Sequence, residues 1–193
     1  MYPLAELQLV EKGTNEALMA VAKGECRLAM GLFLPEEEER YMTLLADLNV
    51  AYTLMGQTRF KIFVSTKNPL AEKKHIYLAD LEGQAVFEYL NNNLDLLTER
   101  GADKMPIKRY KVYNRETMKK LISLDYGLAI LPDFMEREDY YIQSGLIKGR
   151  YIEDYAYQLG CYLFFPQKSV TSPLGNSFII LLSRHMENLS MSI

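Results

Sequence analysis

The chain has 193 residues, 49% of them apolar, with 22 lysines and arginines against 25 aspartates and glutamates and a formal net charge of -3. That length supports one substantial core or two small lobes, and the slight acidic excess argues against a surface built to neutralise nucleic-acid phosphates. Cys26 and Cys161 are isolated, with no CxxC and no clustered histidine, so neither a zinc site nor a disulfide scaffold is indicated; no apolar run approaches bilayer length. A soluble, reducing, cytoplasmic setting is expected, with no secretory leader in MYPLAELQLVEKG.

Taken in chain order, Ala5, Leu7 and Leu9 alternate and predict one face of a strand. Gly13 and Thr14 make a turn, and Ala17, Leu18, Val21 and Ala22 line a helix closed by Gly24. Leu28 to Met30 reads as the next buried strand, completing a β-α-β unit of a parallel sheet. Pro35 and the four glutamates that follow it start a helix through PEEEERYMTLLADLN; solvated charge at a helix start accounts for the glutamates better than a cation site. VAYTLMGQTRFKIFVST has strand alternation from Val50, broken at Gly56, and Asn68-Pro69 marks a turn. AVFEYL is a short strand, Asn91 to Asn93 can cap a helix LDLLTERG ending at Gly101, and IKRYKVYN alternates again.

Thr117 to Asp125 places Met118, Leu121, Ile122 and Asp125 on one side at three- and four-residue steps, the mark of an amphipathic helix. Gly127 is expected to close it, and Leu128 to Leu131, apolar throughout and stopped by Pro132, reads as a buried strand. YQLGCYLFFP is one more strand, and SPLGNSFIILLSRHMENL a closing helix starting near Ser172-Pro173. The order gives two α/β blocks, residues 1–64 joined by 158–193, and residues 65–157. Ligands of open α/β sheets sit beyond the carboxyl ends of strands, where helix N-termini converge, so the Gly13-Thr14-Asn15 turn is the first candidate site.

No nucleophile with a base, carboxylate pair, metal cluster or phosphate loop is visible, so no enzyme, cofactor or metal is expected. His75 beside Lys73 and Lys74, and His185 beside Arg184, read as solvent-facing. Asp80 in LADLEG reads as a turn or cap residue. Tyr140, Tyr141, Tyr151, Tyr155 and Tyr157 crowd one region; packing accounts for them more simply than an aromatic-lined pocket.

Four stretches in register carry a resemblance: YPLAELQLVEKGTNEALMAVAKGECRLAMG, FKIFVSTKNPLAEKKHIYLADLEG, NRETMKKLISLDYGLAILPDF followed by QSGLIKGRYIE, and CYLFFPQKSVTSPLGNSFIILL. Together they cover nearly the whole chain and resemble the effector-binding domain of LysR-type transcriptional regulators. The resemblance implies an α/β, two-lobed fold like that of periplasmic binding proteins (type II), with Thr58 to Ser65 and Tyr157 to Phe165 as its two crossover strands. It implies a small anionic metabolite as effector, bound in an inter-lobe cleft to control transcription. Carried over residue by residue, its ligand site falls on Thr14 and Asn15, on Ser65 and Thr66, on Tyr89, Leu90 and Asn91, and on Asn114.

Two departures accompany it. Arg27 stands where the family usually has an acid. The chain also begins at the YP that the family places after its winged helix-turn-helix, linker helix and the first strand and helix of lobe one. DNA would then be reached only through an N-terminal domain absent from this chain, and the uncovered edge left in lobe one suggests a homodimer or higher oligomer. The alternative is a stand-alone small-molecule binding or regulator-partner protein of the same fold without its own DNA binding.

Overall fold

The computed structural model of the chain describes residues 6–89, 107–155, 157–167 and 172–190. The chain divides into two compact units, Met1–Gln57 with Leu159–Ile193 and Thr58–Gln158. Among the described residues there are seven strands and five α-helices.

In the first unit, helix α1 (Thr14–Ala22) is followed by strand β1 (Ala29–Phe33), helix α2 (Glu38–Asp47) and the start of strand β2 (Val50–Ser65). Strand β7 (Gln158–Pro166) and helix α5 (Pro173–Ser190) complete it. The strand predicted over Ala5 to Leu9 is not formed. Residues 6–12 are irregular, and Leu7 and Leu9 are 73% and 86% exposed. Alternation declares which side chains would share a face, but a strand also needs a neighbour for its peptide groups, and here none is engaged. The β-α-β unit therefore reduces to α1 and β1, and β1 pairs antiparallel with β7, Gly31 opposite Tyr162, where a parallel partner was expected.

Helix α1 begins at Gly13, whose backbone is extended and whose N–H is met at 3.4 Å by the Glu16 carboxylate. It ends as predicted on Gly24, at φ +72, where the Glu25 N–H bonds back to the Ala20 carbonyl. Its buried face, Leu18 and Val21, packs with Phe33, Tyr41, Leu45, Val50 and Phe164. Phe33 stacks between Tyr41 and Tyr162 at centroid distances of 4.5 and 4.0 Å. Each such side chain contributes roughly 1.5–3 kcal/mol on burial. The Tyr162 hydroxyl donates to Glu38 at 3.1 Å, and burial followed by that hydrogen bond raises its pKa to about 12.

In the second unit, strand β3 (Ala85–Tyr89) lies parallel to both β4 (Lys108–Val112) and β5 (Leu128–Pro132). The far half of β2 pairs antiparallel with β5 and with β6 (Ile147–Arg150), Phe63 lying opposite both Ala129 and Gly149. Strand β2 runs unbroken through Gly56. Helix α3 (Arg115–Ser123) and the short α4 (Tyr140–Gln143) follow β4 and β5 in the chain. Met118 and Ile122 of α3 seat on Phe63, Phe87, Ala129 and Ile147.

The helix-to-strand passage at Gly127 is built differently from the expectation. Asp125, at φ +61, takes the left-handed position and closes α3, its carboxylate accepting from the Asn68 side chain at 3.1 Å. Gly127 is needed for close approach: a Cβ there would lie far inside van der Waals contact of the Ala85 carbonyl oxygen and 2.9 Å from the Phe87 ring. The helix predicted from Asn91 to Gly101 lies outside the described residues.

Candidate functional site

Thr14 is the first helical residue of α1, and Gly13 caps it. The Thr14 hydroxyl is occupied by strand β1: it donates to the Leu32 carbonyl at 3.0 Å and accepts from the Leu32 N–H at 3.2 Å. One side chain thus satisfies both peptide groups that Leu32 turns away from β7, doing locally what a neighbouring strand would do. The N–H groups at a helix start have no carbonyl a turn upstream, and the first intrahelical bond here is from Ala17 to Gly13. Beside them the Asn15 side-chain oxygen is buried and has no hydrogen-bond partner among the described residues. A buried amide oxygen left unpaired is costly, so this corner holds both anion-favouring donors and an unsatisfied acceptor.

The remaining predicted residues belong to the second unit, and the sheet sorts them to opposite ends. Tyr89 ends β3, and Asn114 follows β4 as the N-cap of α3, its side-chain oxygen accepting from the Thr117 N–H at 2.9 Å. The two meet through Arg115, whose guanidinium lies 5.9 Å from the Tyr89 ring centroid. This is the carboxyl end of the parallel strands, where α/β sheets take their ligands. Ser65 and Thr66 lie at the other end. Ser65 is buried and sits by the Ser123 carbonyl at the C-terminus of α3, while the Thr66 hydroxyl donates to the Gly145 carbonyl at 3.0 Å. Since Phe60 pairs with Pro132 at the carboxyl end of β5, five residues of extended chain, roughly 17 Å, separate Ser65 from that end. The compact units divide at Gln57 and Thr58, well before Ser65. Leu90 and Asn91 lie outside the described residues.

A charged cluster not foreseen from the sequence occupies the carboxyl end of β5. Asp133 accepts from the Thr58 hydroxyl and from the Tyr151 hydroxyl, both at 2.7 Å. Arg59 and Lys61, two apart on β2, each place their charge 4.3 Å from the Tyr151 ring centroid. Lys61 is paired with Glu136 at 2.5 Å. Gly149 makes room for that pair: a Cβ there would strike the Glu136 carboxylate. Burial first, then the Asp133 hydrogen bond, pushes the Tyr151 pKa up to about 12. The signal in the sequence was the pair of cations in TRFKIFVS, on one face of an otherwise apolar strand.

Other features are structural. His75 is exposed and lies 3.0 Å from Glu153; His185 is exposed on α5. Asp80 accepts from the Tyr77 N–H and pairs with Lys73, the hydrogen bond to Lys73 chief among the effects holding its carboxyl below the usual range. Tyr140 packs edge-on against Tyr141, and Tyr155 against Tyr157, as two separate pairs. Phe63, Ile122, Leu131 and the Lys119–Asp139 pair enclose a cavity of about 10 Å³, room for one water and too small for a metabolite. Among the described residues no cluster of His, Cys, Asp and Glu could hold a metal ion, and no helix is long and apolar enough to cross a membrane.

The chain superposes with a TM-score of 0.68 on the Synechocystis PCC6803 CcmR regulatory domain in complex with 2-PG, at 16% identity over 97% of this chain and 86% of that one. The effector binding domain of QuiR in complex with shikimate gives 0.64 at 18% identity, over 91% and 79% of the two chains. The regulatory domain of MetR, a LysR family regulator from N. meningitidis, gives 0.64 at 15% identity, over 99% and 82%. No curated protein matches the sequence significantly. Residues 1–187 match the LysR substrate binding domain, and with nearly the full chain covered, this protein belongs to that family.

Proposed function

We propose that this chain is the ligand-sensing domain of a LysR-type transcriptional regulator, its two compact units acting as the two regulatory lobes, and that it responds to a small anionic metabolite. The observation that carries the reading is the start of α1: helix-start N–H groups beside the buried Asn15 oxygen, which is unpaired among the described residues, a combination that favours an anion bearing a hydrogen-bond donor. In the second unit, Tyr89, Arg115 and Asn114 at the carboxyl ends of β3 and β4 supply a second polar group of residues. The structures of similar domains in complex with shikimate and with 2-PG support a small-molecule effector.

Sensing requires that the ligand bind one conformational state better than another, because equal affinity shifts nothing. Binding without turnover is part of the reading, as is a cytoplasmic setting. So is association with a second copy, which an exposed apolar stripe on α5, formed by Leu174, Phe178 and Leu181, supports. The test is a thermal melt against a panel of carboxylated and phosphorylated metabolites. A true effector at a hundredfold excess over its Kd stabilises the fold by about 2.7 kcal/mol. A folded sample whose melting never responds to any member of the panel refutes sensing.

A further inference from the structure

The clearest unassigned chemistry lies in the Arg59 cluster of the second unit. Among its four charges, three are committed. Both Asp133 oxygens are engaged, one by Thr58 and one by Tyr151, and Lys61 is neutralised by Glu136. The Arg59 guanidinium alone makes no hydrogen bond or ion pair among the described residues; it lies 4.3 Å from the Tyr151 ring centroid. Tyr151 is itself fixed by its hydroxyl, so the ring is a rigid platform and the guanidinium is positioned before any ligand arrives. Arg59 is partly exposed, and it sits where β2 passes the carboxyl end of β5.

We infer that Arg59 is an anion-recognising residue of this domain, taking a planar monocarboxylate through its guanidinium fork. The inference rests on the reading that the domain senses a small anion, and it names the chemical class. Two considerations select a carboxylate. A guanidinium matches a planar carboxylate with two parallel N–H···O bonds. Arg59 is the cation of the cluster that lacks an ion-pair partner, Lys61 being neutralised by Glu136, and the neighbouring Asp133 carboxylate repels any second negative charge on the ligand. One negative charge balances the one guanidinium that lacks a partner.

The experiment is an NMR titration of the full chain, following the Arg59 side-chain N–H and the Tyr151 ring signals. Benzoate, shikimate and inorganic phosphate are added separately at millimolar concentrations. The carboxylates are expected to move both signals in a saturable way and phosphate to leave them nearly in place. Arg59→Gln, checked for an unchanged melt, is expected to weaken carboxylate binding about tenfold or more. Arg59→Lys, which keeps the charge and loses the fork, should weaken it too. Immobile Arg59 signals with both carboxylates, a phosphate response as strong as theirs, or an Arg59→Lys variant that binds as tightly as wild type each overturn the assignment. The two readings fail separately. A metabolite that stabilises wild type and Arg59→Gln equally leaves sensing intact and removes Arg59 from it, whereas benzoate that moves both the Arg59 signals and the melt, while no metabolite of the panel moves either, leaves the anion site and removes sensing.

Discussion

Replacing Thr14 with valine removes a hydroxyl and keeps the shape of the side chain, including the methyl that faces Gly31. What is lost is the pair of hydrogen bonds to Leu32, at 3.0 and 3.2 Å. Each bond contributes about 1 kcal/mol net, and a peptide group stranded out of reach of water costs up to about 3 kcal/mol. Leu32 is only half-buried, so water recovers part of the loss. The expected destabilisation is roughly 1.5–2 kcal/mol, which for a chain of this length lowers Tm by about 3–8 °C. Thr14→Ser keeps both bonds and should recover most of the stability. The local readout is amide exchange: the Leu32 N–H should be protected in wild type and in the serine variant, and exposed in the valine variant. A valine variant that melts with wild type and still protects Leu32 would show that the hydroxyl does not hold strand and helix together.

Gly127→Ala should destabilise by about 3 kcal/mol or more, because the added methyl meets backbone at Ala85 and overpacking against a peptide group cannot relax by a rotamer change; urea unfolding within 0.5 kcal/mol of wild type contradicts this. Tyr151 and Tyr162, both at about 12, should ionise last in an alkaline titration followed by phenolate absorbance. Their folded values lie above the ordinary 10, so the neutral phenols stabilise the fold fully below pH 10, and that contribution is lost as the pH rises through about 12. Asp133→Asn should bring one of the two late ionisations down, and a titration unaltered by it would exclude the Asp133 hydrogen bond as a cause. Cys161, buried and raised to about 11, should react with thiol reagents only on unfolding, after the half-buried Cys26; equal labelling rates in the native state would contradict the packing around β7.

The helices and most strands were legible because their signals are local. Met118 and Ile122 four residues apart announce the face of α3, and Leu128 to Ile130 between Gly127 and Pro132 can only be a strand buried on both sides. The alternation of Ala5, Leu7 and Leu9 was equally local and did not give a strand, since a ladder depends on a partner that a periodic pattern cannot supply. Gly127 looked like a helix terminator because glycine usually is one; its need arises from the Ala85 backbone, more than forty positions away in sequence. Family resemblance placed Thr14, Tyr89 and Asn114 at helix starts and strand ends. It could not reveal that the Thr14 hydroxyl is already taken or that Ser65 is turned to the far end of its strand. The Arg59 cluster was hidden for the same reason, since β2, the turn after β5 and the residue after β6 meet only once the sheet has formed.

Gly149 has a role out of proportion to its size. By carrying no side chain it lets the Glu136 carboxylate reach Lys61, and so it keeps the neighbourhood of Arg59 electrically even. A methyl at that one position would press on the Glu136 carboxylate, the far end of a flexible side chain, and oblige it to meet Lys61 from a different angle.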